Sequence, residues 1–180
     1  LAIVYEKYEK LKDEESNILF DQRGRKDFDD MILIALDALR KEKEICESFQ
    51  KQYKYIMVDE YQDTNSIQAE IVYNLAQKHQ NIIVVGDDAQ SIYSFRAADV
   101  KNILEFPDLF KKCQIHKLET NYRSSSEIVS LANNVIKENQ NQFFKNLRAS
   151  KGGFIKPVLV ASKSTREEAY FVADKIEELI

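Results

Sequence analysis

The sequence predicts an α/β protein built around a parallel sheet with flanking helices, and three observations carry that expectation. Two short apolar runs without alternation, Tyr55-Ile56-Met57-Val58 and Ile82-Ile83-Val84-Val85, read as strands buried on both faces. The stretches between and around them have the apolar spacing of amphipathic helices. Strand, helix, strand, helix, strand in that order is the pattern of parallel strands joined by crossover helices.

The elements follow in order. Residues 1–15 are charged and helical in pattern, and Asn17 to Lys26 reads as a loop with a turn at Gly24. Phe28, Met31, Ile32, Ala35, Leu36 and Leu39 share one helical face, which predicts a single long helix from Asp27 to near Ser48. The first strand ends in Asp59-Glu60. Asn65 or Ser66 caps the next helix, on which Ile67, Ile71, Val72 and Leu75 share a face. The second strand ends at Gly86, and a third is expected over Ile115 to Leu118. Ser124-Ser125-Ser126-Glu127 offers a capping box for a helix from Ile128 to about Asn139. Residues 140–153, with Gly152-Gly153, are the best linker candidate. Lys156 to Ala161 reads as a strand, and Ser164-Thr165-Arg166-Glu167 opens a last helix running to Ile180.

Composition narrows the function. At 180 residues, 44% hydrophobic and 31% charged, the chain has a soluble globular balance. Cys46 and Cys113 are too few and too far apart for a disulfide scaffold or a metal knuckle, which fits the reduced thiols of a cytoplasmic protein. His79 and His116 lie in unrelated contexts. A net charge of −4 gives no bulk attraction for nucleic acid, so any such binding rests on local geometry. Leu1 is not an initiator methionine and the opening reads as mid-helix, so the chain is expected to come from something longer.

Open parallel sheets bind ligands at the carboxyl ends of their strands. Asp59-Glu60, Gly86-Asp87-Asp88 and Glu119 to Arg123 all fall at that end in the expected topology. Asp59 and Glu60 are either a solvated strand end or a metal carboxylate beside a proton acceptor. Tyr93, Phe95 and Arg96 interleave aromatic faces with a guanidinium, which suits either core packing or stacking on single-stranded bases. Tyr122 and Arg123 could pack under the next helix and pair with a surface acid, or stack on a base and meet a developing phosphate charge.

The wording of the three runs is more specific than their chemistry. Val58-Asp59-Glu60-Tyr61-Gln62-Asp63-Thr64-Asn65 resembles motif II of the UvrD/PcrA/Rep helicases of superfamily 1. Gly86-Asp87-Asp88-Ala89-Gln90-Ser91-Ile92-Tyr93-Ser94-Phe95-Arg96 resembles their motif III, and Leu118 to Ser124 resembles motif IV. The resemblance covers nearly the whole chain in the family's order. It implies a partial RecA-like parallel sheet plus the start of a second α/β motor domain. The implied division is a mainly helical segment over 1–50, the C-terminal part of the first motor domain over 51–123, and a connecting helix, linker and second domain start over 124–180.

By resemblance, Asp59 holds Mg²⁺ through water, Glu60 polarises the attacking water, and Gln90 contacts the γ-phosphate of ATP. Tyr93, Phe95 and Arg96 lie along the DNA track, Tyr122 stacks on adenine, and Arg123 is the arginine finger. Ala97 departs from the family, which usually has Gly there, and Phe95 stands where Trp or Phe is usual. Asp27-Phe28-Asp29-Asp30 resembles a family segment too, but its acids are explained by the helix dipole.

The implied activity is ATP-driven movement on single-stranded DNA or at a single/double-strand junction, 3′ to 5′, in repair or replication. No GxxxxGK[ST] run is present, so the loop that cradles the β-phosphate is missing and this chain alone is expected to be inactive as an ATPase. A strand edge left open by that omission would invite self-association. Two alternatives stay open: a non-catalytic DNA-binding paralogue, and the motor part of a RecB/AddA-like helicase–nuclease.

Overall fold

The computed structural model describes Lys7, Lys10 and residues 26–110, 112–153 and 155–180. Lys7 and Lys10 are helical; the rest of the helix expected over 1–15 and the turn at Gly24 lie outside the described residues. The chain divides into two compact units, Leu1–Ile115 and His116–Ile180. Among the described residues no helix is long and apolar enough to cross a membrane.

In the first unit, helices α1 (Phe28–Lys41) and α2 (Lys43–Gln52) replace the single long helix expected. The chain is extended at Glu42, a break that no Gly or Pro marks in the sequence. Tertiary contacts account for it. From its new direction α2 sends the Gln50 amide to the carbonyl of Asn74 at 2.7 Å and buries Cys46 nearby. Asp27 and Asp30 cap α1 reciprocally, each carboxylate accepting the other's backbone N–H at 2.9–3.0 Å. The acids of that run therefore have a structural task.

Strand β1 (Ile56–Val58) leads through helix α3 (Ser66–Ala76) to strand β2 (Ile82–Val84), which pairs with it in parallel. Ile56 faces Ile82, Met57 faces Ile83 and Val58 faces Val84. This is the strand–helix–strand unit expected, and Asn65 with Gln68 forms the capping box that starts α3. Helix α1 packs on α3, where Arg40 grips Glu70 with two parallel N–H···O bonds of 2.5–2.6 Å.

The expectation of burial on both sheet faces is corrected. Ile56, Val58, Ile82 and Val84 are half-buried, whereas Met57 is 76% and Ile83 60% exposed. Successive strand residues point to opposite faces. Helix α3 packs on β1, and among the described residues the face carrying Met57 and Ile83 is left open.

Beyond β2, two one-turn helices, α4 (Lys101–Leu104) and α5 (Phe106–Leu109), close an aromatic core. Tyr61 is edge-on to Phe106 at 5.5 Å, Phe106 meets Phe110 at 4.8 Å, and Phe110 meets Tyr73 at 5.9 Å. Such pairs add to the area that each ring removes from water. Burial also pushes the Tyr61 hydroxyl to titrate above its ordinary range.

The second unit is another strand–helix–strand arrangement, but not at the positions expected. Strand β3 is Thr120–Ser125, followed by helix α6 (Ser126–Ile136) and strand β4 (Arg148–Lys151), parallel to β3. Ile115 to Leu118 is not a strand; Ile115 is 52% and Leu118 87% exposed. Lys156 to Ala161 is not a strand either, and part of the expected linker, Arg148–Lys151, is β4. The reason is that β3 and β4 are polar runs paired through their backbones, supported by Asn133 of α6, whose side chain bonds both N–H and C=O of Leu147 at 3.2 and 2.8 Å. Apolar content is a poor guide to such strands. The box expected at Ser124 is not made: Ser125 is the N-cap without a side-chain cap bond, and Glu127 accepts the Ser126 hydroxyl at 3.0 Å. Helix α7 (Thr165–Leu179) does start as expected, with the Ser164 hydroxyl accepting the N–H of Glu167.

Candidate functional site

Two polar loops leave the carboxyl ends of β1 and β2, and the first unit is built to hold them together. Asp59 and Glu60 come directly after β1, both exposed. Asp59 accepts the N–H of Glu60 at 2.9 Å. Glu60 has φ 50°, a left-handed conformation that costs a residue with a side chain about 1–2 kcal/mol. Strain of this kind persists only where the surroundings over-determine it. Here Tyr61, 1% exposed, donates its N–H to the carbonyl of Val85 at 2.9 Å, pinning the loop across to the end of β2.

Gln62 is the least expected member of the site. It is 1% exposed, an uncommon place for an amide. Its Nε2 donates to Glu60 Oε2 at 2.8 Å and to Asp63 Oδ2 at 3.2 Å. Its Oε1 accepts the backbone N–H of Asp87 at 3.0 Å. Because carboxylates only accept and an N–H only donates, this is the one orientation of the amide that satisfies all three contacts.

In the second loop, Asp87 caps the short turn Asp88–Gln90. Its Oδ1 accepts the N–H of Ala89 at 3.0 Å and its Oδ2 accepts the Gln90 amide at 2.8 Å. Gln90 is itself exposed. The loop continues into the turn Ser94–Arg96, where Tyr93 and Phe95 lie 6.0 Å apart. The Arg96 guanidinium sits 5.3 Å from the Tyr93 ring centre and 5.5 Å from that of Phe95. Phe95 is 76% exposed, unlike the buried Phe106 and Phe110. Ala97 has φ 63°, so the residue standing where the resembled family has Gly keeps that turn and adds strain to it.

Gly86 shows why the loops approach so closely. A Cβ there would come within 2.5 Å of Gln62 Oε1, 2.8 Å of Ile103 Cδ1 and 3.2 Å of the Tyr61 nitrogen. Gly86→Ala is expected to cost about 1–3 kcal/mol, because the buried amide must move and leave the Asp87 N–H without its acceptor. Urea unfolding of the chain checks this; an unchanged midpoint would contradict it.

Tyr122 and Arg123 belong to the second unit, within β3, rather than after a strand as expected. Both are exposed, Tyr122 by 72%. The side-chain oxygen of Asn121 accepts the N–H of Arg123 at 2.9 Å and of Ser124 at 2.8 Å, folding the chain into an irregularity of the β3–β4 ladder. That sets the backbone from which both side chains leave.

Among the described residues no group of three or more His, Cys, Asp or Glu could hold a metal by itself. Exposed Asp59 nevertheless fits Mg²⁺, which takes one or two carboxylates and completes its shell with water and phosphate oxygens.

The comparisons with known proteins bear on this arrangement. The model of the UvrD/REP helicase N-terminal domain matches residues 1–111, and that of the UvrD-like helicase C-terminal domain matches residues 116–180. The chain belongs to the UvrD/Rep helicase family. It is 40% identical over 178 residues to a probable DNA helicase II homolog of Rickettsia conorii, covering 99% of this chain and 26% of that protein. It is 42% identical over 153 residues to the ATP-dependent DNA helicase PcrA of Bacillus subtilis, 85% of this chain and 21% of the relative. The putative ATP-dependent DNA helicase YjcD of the same organism is 37% identical over 177 residues, 98% and 22% of the two chains. The chain thus spans about a quarter of the length of the curated relatives it matches.

Within this UvrD/Rep chain, the sequence places Gly86 and Asp87 in a polar cluster but assigns no task to them, to Gln62 or to Asn121. Asn121 carried a signal, since Asn turns the chain by accepting N–H groups two and three residues on. Gln62 carried none: an amide in a polar run gives no hint of burial.

Proposed function

We propose that the chain is a segment of an ATP-driven DNA helicase or translocase that couples hydrolysis to movement along single-stranded DNA, 3′ to 5′ by family resemblance, in repair or replication. Two polar loops on adjacent strand ends support this reading. Asp59 would hold Mg²⁺ through water, and the ion when bound would neutralise charge on the triphosphate. Glu60, exposed and oriented by Gln62, accepts the proton of the attacking water. Gln90 offers its amide to the terminal phosphate. Tyr122 provides a face for adenine, and Arg123 a planar fork for the charge that develops on the transferred phosphoryl group. The phosphate-binding loop of such a motor is not among these 180 residues, so the segment is one contributor to the nucleotide site.

The observation that carries the DNA half is Phe95. A ring 76% exposed, beside Tyr93 and flanked by a guanidinium, supports stacking on bases over packing in the core. Stacking on a base contributes about 1–3 kcal/mol, so Phe95→Ala in the full-length protein is expected to weaken oligo-dT binding about 5- to 150-fold. Fluorescence titration across a salt series measures it. An unchanged Kd would remove Phe95 from the DNA track.

A further inference from the structure

The two loops are joined by more than proximity. Gln62 Nε2 holds Glu60 at 2.8 Å, and Gln62 Oε1 holds the Asp87 N–H at 3.0 Å. Asp87 Oδ2 in turn holds the amide of Gln90 at 2.8 Å. Proton acceptor and phosphate sensor are therefore the two ends of one hydrogen-bonded line, and its middle is buried.

We propose that Gln62 and Asp87 are positioning residues that fix Glu60 and Gln90 relative to one another, so that the water-activating carboxylate and the γ-phosphate contact are set as a pair. This rests on the reading of Glu60 and Gln90 given above. The chemistry of each link supports it. Gln62 has a donor end and an acceptor end, and each is used on a different loop. A carboxylate or a lysine at this position would keep only one of the two. The Gln90 NH₂ has two hydrogens, so one can remain on Asp87 while the other is offered to a phosphate oxygen. Asp87 also caps its own turn through Oδ1, so the part of the loop that presents Gln90 is anchored at the same residue. The close approach at Gly86 leaves no room for a larger residue between the loops, and Gln62 is held in place by its walls. The loop that carries Gln90 runs on to Tyr93 and Phe95, so a shift of that loop on DNA would reach Glu60 through the same line.

The test is steady-state ATPase of the full-length protein with saturating oligo-dT. Gln62→Met keeps the volume and removes both links. It is expected to lower kcat about 10- to 100-fold, as small misplacements of a reacting group do, with KM for ATP within about threefold. The same substitution is then made in a Glu60→Asp background, where the shortened carboxylate no longer reaches Gln62. There it is expected to cost less than about threefold more. A structural role alone would give the same factor in both backgrounds, and that result, or an unchanged kcat for Gln62→Met, would overturn the proposal. Asp87→Asn provides a second arm should Gln62→Met not fold. It keeps an oxygen for the Ala89 N–H but turns an NH₂ toward Gln90. Its effect is expected to disappear in a Gln90→Ala background, and equal loss in both would count against the line. Glu60→Gln is run beside them. If it is inactive while Gln62→Met is not impaired, the acceptor assignment stands and only the positioning role fails.

Discussion

Glu60→Gln is expected to lower the DNA-stimulated ATP turnover of the full-length protein by about 10²- to 10⁴-fold, the range that a positioned general base supplies. The amide has the shape of the carboxylate but cannot accept the proton. ATP binding should survive, since the substitution touches neither Asp59 nor the groups assigned to the phosphates, so KM is expected to stay within about threefold. Two features of the fold support the role proposed for Glu60. Its backbone is left-handed at φ 50°, and its carboxylate is gripped from one side by a buried amide while the residue stays open to solvent. Turnover within tenfold of the parent would show that another group takes the proton.

Phe106→Ala should produce the largest loss of stability, about 3–5 kcal/mol for deleting a buried aromatic ring. Phe106 is 5% exposed, and it is the ring against which both Tyr61 and Phe110 pack. Its removal opens a cavity directly behind the loop that carries Asp59 and Glu60. The chain would keep only a part of a total stability that is about 5–15 kcal/mol for ordinary domains. Urea unfolding of the 180-residue chain, with the midpoint lowered and the slope kept, measures it. A cost below about 1 kcal/mol would mean that the site does not lean on this core. Phe95→Ala is the natural control: the ring is exposed, so its loss should cost DNA binding and leave the midpoint within about 0.5 kcal/mol.

That contrast between two phenylalanines shows where sequence reasoning ended. Phe95 and Phe106 are alike in composition terms, and only the fold separates the ring that packs from the ring that faces solvent. The apolar runs at Ile56 and Ile82 were legible, as was their parallel pairing, because β-branched residues bounded by polar turns have few other uses. The caps at Asn65 and Ser164 were legible for the same local reason. Strand β3 was not, since Thr-Asn-Tyr-Arg-Ser-Ser has no apolar alternation and is held by backbone pairing with an equally polar partner. The break at Glu42 was not, because it is set by contacts that α2 makes with α3 more than twenty residues away. The carboxylates, the glutamine and the aromatic–arginine run announced themselves by wording. What holds them did not: Gln62 sits inside the most recognisable run of the chain, and its burial depends on Gly86, a residue from the other loop.

In the proposed function, the loops after β1 and β2 belong to one device coupling ATP hydrolysis to single-stranded DNA. The most direct measurement is the steady-state ATPase rate of the full-length protein with and without oligo-dT, repeated for Phe95→Ala. The rate is expected to rise strongly on adding DNA, and the variant to need more oligo-dT to reach half of that stimulation. A rate that DNA does not change, or a stimulation curve that the variant does not shift, would contradict it.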